Sequence, residues 1–327
     1  MRIGVFGAGA WGTALAIAFA RDHDVRLWGR ESGLQEAMRR ERKNERYLPG
    51  ADFPTALSIE TEFASAAHAA DLFLIVTPLA GLRETAQSLR RIDPAVPVLW
   101  ACKGIDPLTC QLPHEIAADE LAEATPRGVL TGPSFAAEVA RNQPTAVTIA
   151  SPRVEDALAW SQHLHQARLR IYANDDVVGA EVGGAVKNVM AIAAGISDGL
   201  GFGLNARAAL ITRGLAEMAR LGAALGGKPE TLMGLAGMGD LVLTCTGDLS
   251  RNRRVGLALA TGQTLPAILA DLGHVAEGVS TAQAVDTLAR RRGVDMPITA
   301  AVAAVLRGEA SPDSAVEALL ARDPKAE

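Results

Sequence analysis

Of the 32 basic residues in this chain only five are lysine: Lys43, Lys103, Lys187, Lys228 and Lys325. In an arginine-rich background a retained lysine points to a need for a compact ammonium that can give up its proton, which a guanidinium does not do. Lys43, Lys228 and Lys325 stand in polar, loop-like or terminal surroundings, where solvation accounts for them. Lys187 lies instead in the small and apolar run Gly183-Gly184-Ala185-Val186-Lys187-Asn188-Val189-Met190-Ala191. On helical spacing Gly183 and Gly184 share its face and would leave open space beside the amine. Desolvation and neighbouring cations would loosen the amine's hold on its proton, as acid–base work near neutral pH requires. A lysine snorkelling to the surface is the competing reading.

Lys103 follows an apolar run in Trp100-Ala101-Cys102-Lys103-Gly104-Ile105, the position beyond a strand where parallel sheets bind ligands, although a plain loop lysine fits equally well. Asp240, in Gly237-Met238-Gly239-Asp240-Leu241, sits in a glycine-flanked apolar segment. A buried aspartate needs a partner, and a lysine amine is an obvious one. Ser250-Arg251-Asn252 opens a helical pattern. Ser250 is a natural cap, and the amides after it together with Arg251 and Asn252 make a ready anion site. Gly132-Pro133-Ser134 opens another helical pattern in the same style, with an ordinary cap as the simpler reading.

The strongest spacing signal is Gly7-Ala8-Gly9-Ala10-Trp11-Gly12, a G-x-G-x-x-G that follows an apolar strand and opens a helix. Gly7 would make the turn, Gly9 would admit a pyrophosphate close to the backbone, and Gly12 would let helix and strand pack closely. At the end of the next strand, Leu27-Trp28-Gly29-Arg30-Glu31 carries Arg30 where an NAD site usually has an acid. A guanidinium suits a 2′-phosphate, so NADP(H) is favoured over NAD(H); a one-residue shift would bring Glu31 into play.

These residues need a scaffold, and the chain's texture supplies one. Apolar runs at Arg2–Phe6, Asp24–Trp28, 71–77, 96–101, 128–131 and 146–150 read as buried strands. Helical patterns at 11–21, 82–91 and 113–124 lie between them, as in βαβ units around a parallel sheet. Beyond about residue 175 the strands give way to Ala/Leu/Gly-rich helical patterns at 176–195, 205–225, 251–260, 280–292 and 298–307. The expected architecture is α/β: an N-terminal Rossmann-type doubly wound sheet over 1–180, then an all-α domain over 181–327.

Composition narrows the classes further. The chain has 327 residues, 49% of them hydrophobic, and a formal net charge of −5, which argues against a nucleic-acid partner. Three cysteines are too few for a disulfide framework or a thiolate metal site, and the six histidines show no zinc-like spacing, so no metal is expected. The apolar start is broken by glycines, and later apolar stretches such as 298–306 fall short of the roughly 20 residues a spanning helix needs. A cytoplasmic protein with no membrane insertion is expected. The Ala/Gly-rich helices could form the face of a homodimer.

The chain resembles the bacterial NAD(P)H-dependent sn-glycerol-3-phosphate dehydrogenases over 2–307. The matching segments are GAGAWGTA (7–14), CKGI (102–105), GPSFAAE (132–138), GAEVGGAVKNVMAIAAGI (179–196), NARAALITRGLAE (205–217), LAGMGDLVLTC (235–245), SRNRRVG (250–256) and AEG (276–278). The resemblance implies reversible reduction of dihydroxyacetone phosphate to sn-glycerol 3-phosphate, feeding glycerophospholipid synthesis. It implies Lys187 as proton donor and acceptor, and substrate contacts from Lys103, Gly132, Ser134, Asp240, Ser250, Arg251 and Asn252. It implies cofactor contacts from Trp11, Arg30, Lys103, Ala136, Arg251, Val275 and Glu277, alongside Gly7, Gly9 and Gly12. Ala10 stands where many members carry Ser, which removes one hydroxyl near the cofactor. Two other readings compete: a hydroxyacid dehydrogenase of the 6-phosphogluconate type, disfavoured by GPSFAAE and SRNRRVG, and a non-catalytic NADP(H) sensor, which would not need Lys103, Lys187 and Asp240 in pocket-like settings.

Overall fold

Strands β1 (Arg2–Phe6), β2 (Asp24–Trp28), β5 (Leu57–Glu60), β6 (Leu72–Ile75), β7 (Val98–Trp100), β8 (Arg127–Thr131), β9 (Thr145–Ala150) and β10 (Leu169–Asn174) form one sheet in a computed structural model that describes residues 1–272 and 276–321. Their order is β10-β9-β8-β7-β6-β1-β2-β5. A small hairpin, β3 (Lys43–Asn44) with β4 (Leu48–Asp52), stands apart. The chain starts on an inner strand, moves outward through β2 to β5, and then returns to β6 on the other side of β1. That reversal makes the carboxyl end of β1 a topological switch point, where open α/β sheets bind ligands. Within the eight-stranded sheet all pairs are parallel except β8 with β9, which run antiparallel and depart from the wholly parallel sheet expected of βαβ units. β1 and β6 are apolar and almost completely buried, as strands covered on both faces must be.

The helices of this part are α1 (Ala10–Phe19), α2 (Ser32–Glu41), α3 (Phe63–Ala67), α4 (Leu82–Ile92), α5 (Pro113–Glu120), α6 (Ala136–Ala140) and α7 (Val154–Leu164). The remainder is helical: α8 (Val177–Gly199), α9 (Gly203–Ala224), α10 (Pro229–Met233), a π-helical turn at Leu235–Gly239, α11 (Asp240–Thr246), α12 (Arg251–Ala260), α13 (Leu265–Leu272), α14 (Glu277–Arg291), α15 (Pro297–Arg307) and α16 (Pro312–Leu320). Two compact units result. The first is Met1–Lys103 with Pro113–Val177, and the second is Gly104–Leu112 with Val178–Glu327.

α8 is the axis of the second unit. It is long and apolar enough to cross a membrane, unlike the stretches the sequence reading singled out. Yet 94% of its apolar window is buried, so it is a core helix by position. Ile105, Cys110 and Leu112 from the short inserted segment share its core with Val186, Val189 and Met190. α9 and α15 are locked by a buried carboxylate. Glu217 accepts from the Ile298 amide (2.6 Å), the Thr299 amide (3.1 Å) and the Thr299 hydroxyl (2.9 Å). The first turn of α15, which begins at Pro297, thereby finds an acceptor for amides that no helix can satisfy internally.

Candidate active site

In the first unit the glycine fingerprint forms the turn from β1 into α1. Gly7 has φ +124°, and a Cβ there would lie 2.5 Å from the Val76 carbonyl oxygen. A Cβ on Gly12 would fall 1.9 Å from the Gly7 carbonyl oxygen, so only glycine lets the helix sit this close to its strand. Gly9 differs: a Cβ there would meet nothing within 4 Å, and as N-cap of α1 it offers no side-chain acceptor to the first amides. Space and uncapped amides at a helix N-terminus are what a pyrophosphate requires, so these residues fit a dinucleotide. Trp11 is on the first turn of α1, half-buried.

Arg30 is exposed, two residues past the end of β2. The neighbouring Glu31 is already engaged, by Arg46 Nη1 at 2.5 Å and by the Tyr47 hydroxyl at 3.2 Å. Its carboxylate is thus neutralised by a side chain of the same unit, and Arg30 remains the charge that β2 presents. Lys103, partly buried, lies three residues past the carboxyl end of β7. Gly132 follows β8 with φ +132°, where a Cβ would crowd the Val147 Cα at 3.1 Å. The Ser134 hydroxyl donates to the Gly132 carbonyl at 3.1 Å. It is therefore not the expected cap: α6 has Phe135 at its N-cap and no side-chain cap bond, and it starts at Ala136.

In the second unit Lys187 lies midway along α8, 7% exposed, and its ammonium donates to Asp240 Oδ1 at 2.5 Å and Thr244 Oγ1 at 3.0 Å. Asp240 is 1% exposed. The Thr244 hydroxyl in turn donates to the Asp240 carbonyl at 2.6 Å, so Asp240 and Thr244, one turn apart on α11, act as a single clamp. One expectation changes here. Gly183 leaves no open space beside the amine, because a Cβ there would lie 2.3 Å from the Ala236 carbonyl oxygen and 3.1 Å from Gly237 Cα. The missing side chain admits the π-helical turn instead, and that turn delivers Asp240 to Lys187. Asp240 is an opposite charge at hydrogen-bond distance from the amine, and a carboxylate so placed favours the ammonium form.

Ser250 caps α12, its hydroxyl accepting from the Arg253 amide at 3.3 Å. Arg251 is exposed on the first turn, while Asn252 is buried and accepts the Gly278 amide at 3.0 Å through Oδ1. Asn188, next to Lys187, donates to Glu277 Oε2 at 3.3 Å. The neighbours of Lys187 and Arg251 therefore converge on the first two residues of α14. A Cβ on Gly278 would lie 2.7 Å from the Asn188 carbonyl oxygen and 2.8 Å from Asn252 Oδ1. Val275 lies outside the described residues. Cys245 follows Thr244 and is wholly buried, which pushes its thiol up to about 12 and makes it a poor nucleophile. Among the described residues no group of three His, Cys, Asp or Glu side chains is placed to hold a metal ion.

Sequence reasoning missed Thr244, Asn188, Asp198 and Arg253. A hydroxyl four residues after Asp240 on one helix is a signal for the first; the others depend on residues 55 or more positions away.

A glycine turn at the switch point of a parallel sheet, leading to an uncapped helix N-terminus, defines the dinucleotide-binding class of α/β proteins. Two family models extend this to the whole chain. The NAD-dependent glycerol-3-phosphate dehydrogenase N-terminus matches residues 2–157, and the C-terminus of the same family matches residues 176–317. The glycerol-3-phosphate dehydrogenase [NAD(P)+] of Aromatoleum aromaticum is 64% identical over the full length of both chains. That of Dechloromonas aromatica is 58% identical, over 100% of this chain and 99% of the relative. The crystal structure of glycerol-3-phosphate dehydrogenase from Coxiella burnetii superposes with a TM-score of 0.94 at 44% identity, over 98% of this chain and 99% of that one. The chain belongs to the NAD-dependent glycerol-3-phosphate dehydrogenase family.

Proposed function

We propose that the chain catalyses the reversible reduction of dihydroxyacetone phosphate to sn-glycerol 3-phosphate with NADPH or NADH, and so supplies the glycerol backbone of phospholipids. The observation that carries this reading is the buried Lys187–Asp240–Thr244 clamp in the same unit as the capped start of α12. A proton donor and an anion site are what a ketone with a phosphate ester needs. Residues 1–180 would serve as the cofactor-binding domain and 181–327 as the substrate domain. The glycine turn of Gly7, Gly9 and Gly12, with Trp11, Arg30, Ala136, Val275 and Glu277, would hold the dinucleotide. When bound, NAD(P)H supplies the hydride that adds to the ketone carbon.

Negative charge then grows on the ketone oxygen, and the Lys187 ammonium gives that oxygen a proton. Asp240 keeps the amine charged until this moment and, with Thr244, fixes its position, so little reorganisation is needed in the transition state. Lys103 adds positive field. Arg251, Asn252 and the amides after Ser250 hold the phosphate, with Gly132 and Ser134 as further contacts. Fixing the phosphate converts binding energy into orientation of the carbonyl. Arg30 would meet a 2′-phosphate, which favours NADPH.

The deciding assay follows NADPH oxidation with dihydroxyacetone phosphate, then repeats it with NADH and with 6-phosphogluconate in the oxidative direction. Turnover of 6-phosphogluconate, or cofactor binding without any turnover, overturns the reading. A cytoplasmic setting suits the protein, since Cys102, Cys110 and Cys245 are all buried thiols. A homodimer is supported by Phe202 and Leu204, apolar side chains 47% and 71% exposed at the start of α9. Light scattering giving a monomer mass would refute that assembly.

A further inference from the structure

The capped end of α12 is tied to the helix that carries Lys187. Asp198 lies on the last turn of α8, about three turns beyond Lys187. Its Oδ2 accepts from Arg253 Nε at 2.9 Å, from Arg253 Nη2 at 2.8 Å and from Arg207 Nη1 at 3.0 Å. Asp198 and Arg253 side chains are each 12% exposed, so the pair is largely screened from water. Arg253 is on the first turn of α12, two residues after Arg251, and its amide is the one that Ser250 caps. Its Nη1 also reaches Asp248 at 3.0 Å, in the turn before the helix. One guanidinium thus fastens both the turn and the first helical turn of the anion site to α8.

We infer that Asp198 and Arg253 are positioning residues for the substrate phosphate, holding the N-terminus of α12 at a set separation from Lys187. The inference rests on the proposed reading of that N-terminus as the phosphate site. A surface ion pair would contribute little, but a planar fork closing on one largely buried oxygen fixes direction as well as distance. A lysine at 253 would keep the charge and lose the fork. Arg207 and Arg253 are matched in formal charge by Asp198 and Asp248, which leaves exposed Arg251 on the same first turn as the positive charge that favours an anion.

The test compares dihydroxyacetone phosphate with dihydroxyacetone, which lacks the phosphate, in the full-length wild type, Asp198→Asn, Arg253→Gln and Arg253→Lys. NADPH affinity is measured by fluorescence. Asp198→Asn and Arg253→Gln should lower kcat/KM for the phosphate ester roughly tenfold or more, the size of one charge-assisted hydrogen bond, mainly through KM. Turnover of dihydroxyacetone and NADPH affinity should be unchanged, with Arg253→Lys in between. Equal losses on both substrates, or no loss on either, overturn the assignment. Arg253→Lys keeps volume and charge, so it decides the matter if the glutamine variant does not fold. A wild type that ignores dihydroxyacetone phosphate refutes the reaction itself rather than this pair.

Discussion

Gly195 on α8 and Gly256 on α12 are in direct backbone contact. A Cβ on either would lie 2.9 Å from the other's Cα and 2.1 Å from a carbonyl oxygen, of Arg253 in one case and Ile192 in the other. The two helices that carry the amine and the capped anion site cross at these glycines, so their separation is set by bare backbone rather than by side chains able to change rotamer. Gly256→Ala must push the helices apart, and overpacking of this kind costs about 3 kcal/mol. The expected result is a lower urea midpoint together with a raised KM for dihydroxyacetone phosphate. Wild-type values for both would show that the crossing is more compliant than its geometry indicates.

Removing the amine should separate chemistry from stability. Lys187→Ala is expected to lower kcat by about 10²-fold or more, the general acid–base range. It also leaves Asp240 buried without its cation, a loss of roughly 3–5 kcal/mol. The double variant Lys187→Met/Asp240→Leu should regain much of that stability while staying inactive. Recovery of activity in the double variant would remove Lys187 from the chemistry.

Arg30→Ser should raise KM for NADPH about tenfold, the size of one charge-assisted hydrogen bond, and leave NADH nearly unaffected. Glu31, paired with Arg46 and Tyr47, is an anion and offers a 2′-phosphate no attraction in its place. Equal effects on the two cofactors, read from initial rates, would refute the 2′-phosphate role.

Glu217 gives a pH dependence with a definite sign. Burial pushes its carboxyl above the usual 4.5, partly offset by the Ile298 and Thr299 hydrogen bonds. A raised folded-state value means the folded chain holds this proton more tightly than the unfolded chain. The stabilisation is therefore fully present below 4.5 and is lost as pH rises through the folded-state value. Urea midpoints of the wild type and Glu217→Gln, measured from pH 4 to pH 7, should show the wild type losing ground relative to the variant as pH increases. A gap that widens in the wild type's favour would contradict this.

Much of the first unit was legible because buried parallel strands are continuous apolar runs, as in Leu72–Ile75 and Thr145–Ala150. β10 escaped notice because Arg170 and Tyr172 alternate with buried Leu169 and Ile171. The antiparallel pairing of β8 and β9 has no local signature, since direction is decided by partners far apart in the chain. In the second unit the glycines beside Lys187 read as open space, because spacing on one helix does not reveal which backbone packs against it, and Gly183 receives a π-helical turn instead. Asp240 looked like a lysine's partner from burial alone. Thr244, Asn188, Asp198 and Arg253 look unremarkable on their own elements, and only folding brings each to its partner.

The excursion of residues 104–112 sets the order in which this molecule can be built. Ile105, Cys110 and Leu112 belong to the core around α8, although both flanking stretches belong to the first unit. A fragment beginning at Val178 would lack three of its own interior side chains. The ribosome releases that strip well before the helices it completes, so the second half must recover a piece already synthesised. Cutting the gene in two between sheet and helices would therefore yield one half with a surplus loop and another with a hole.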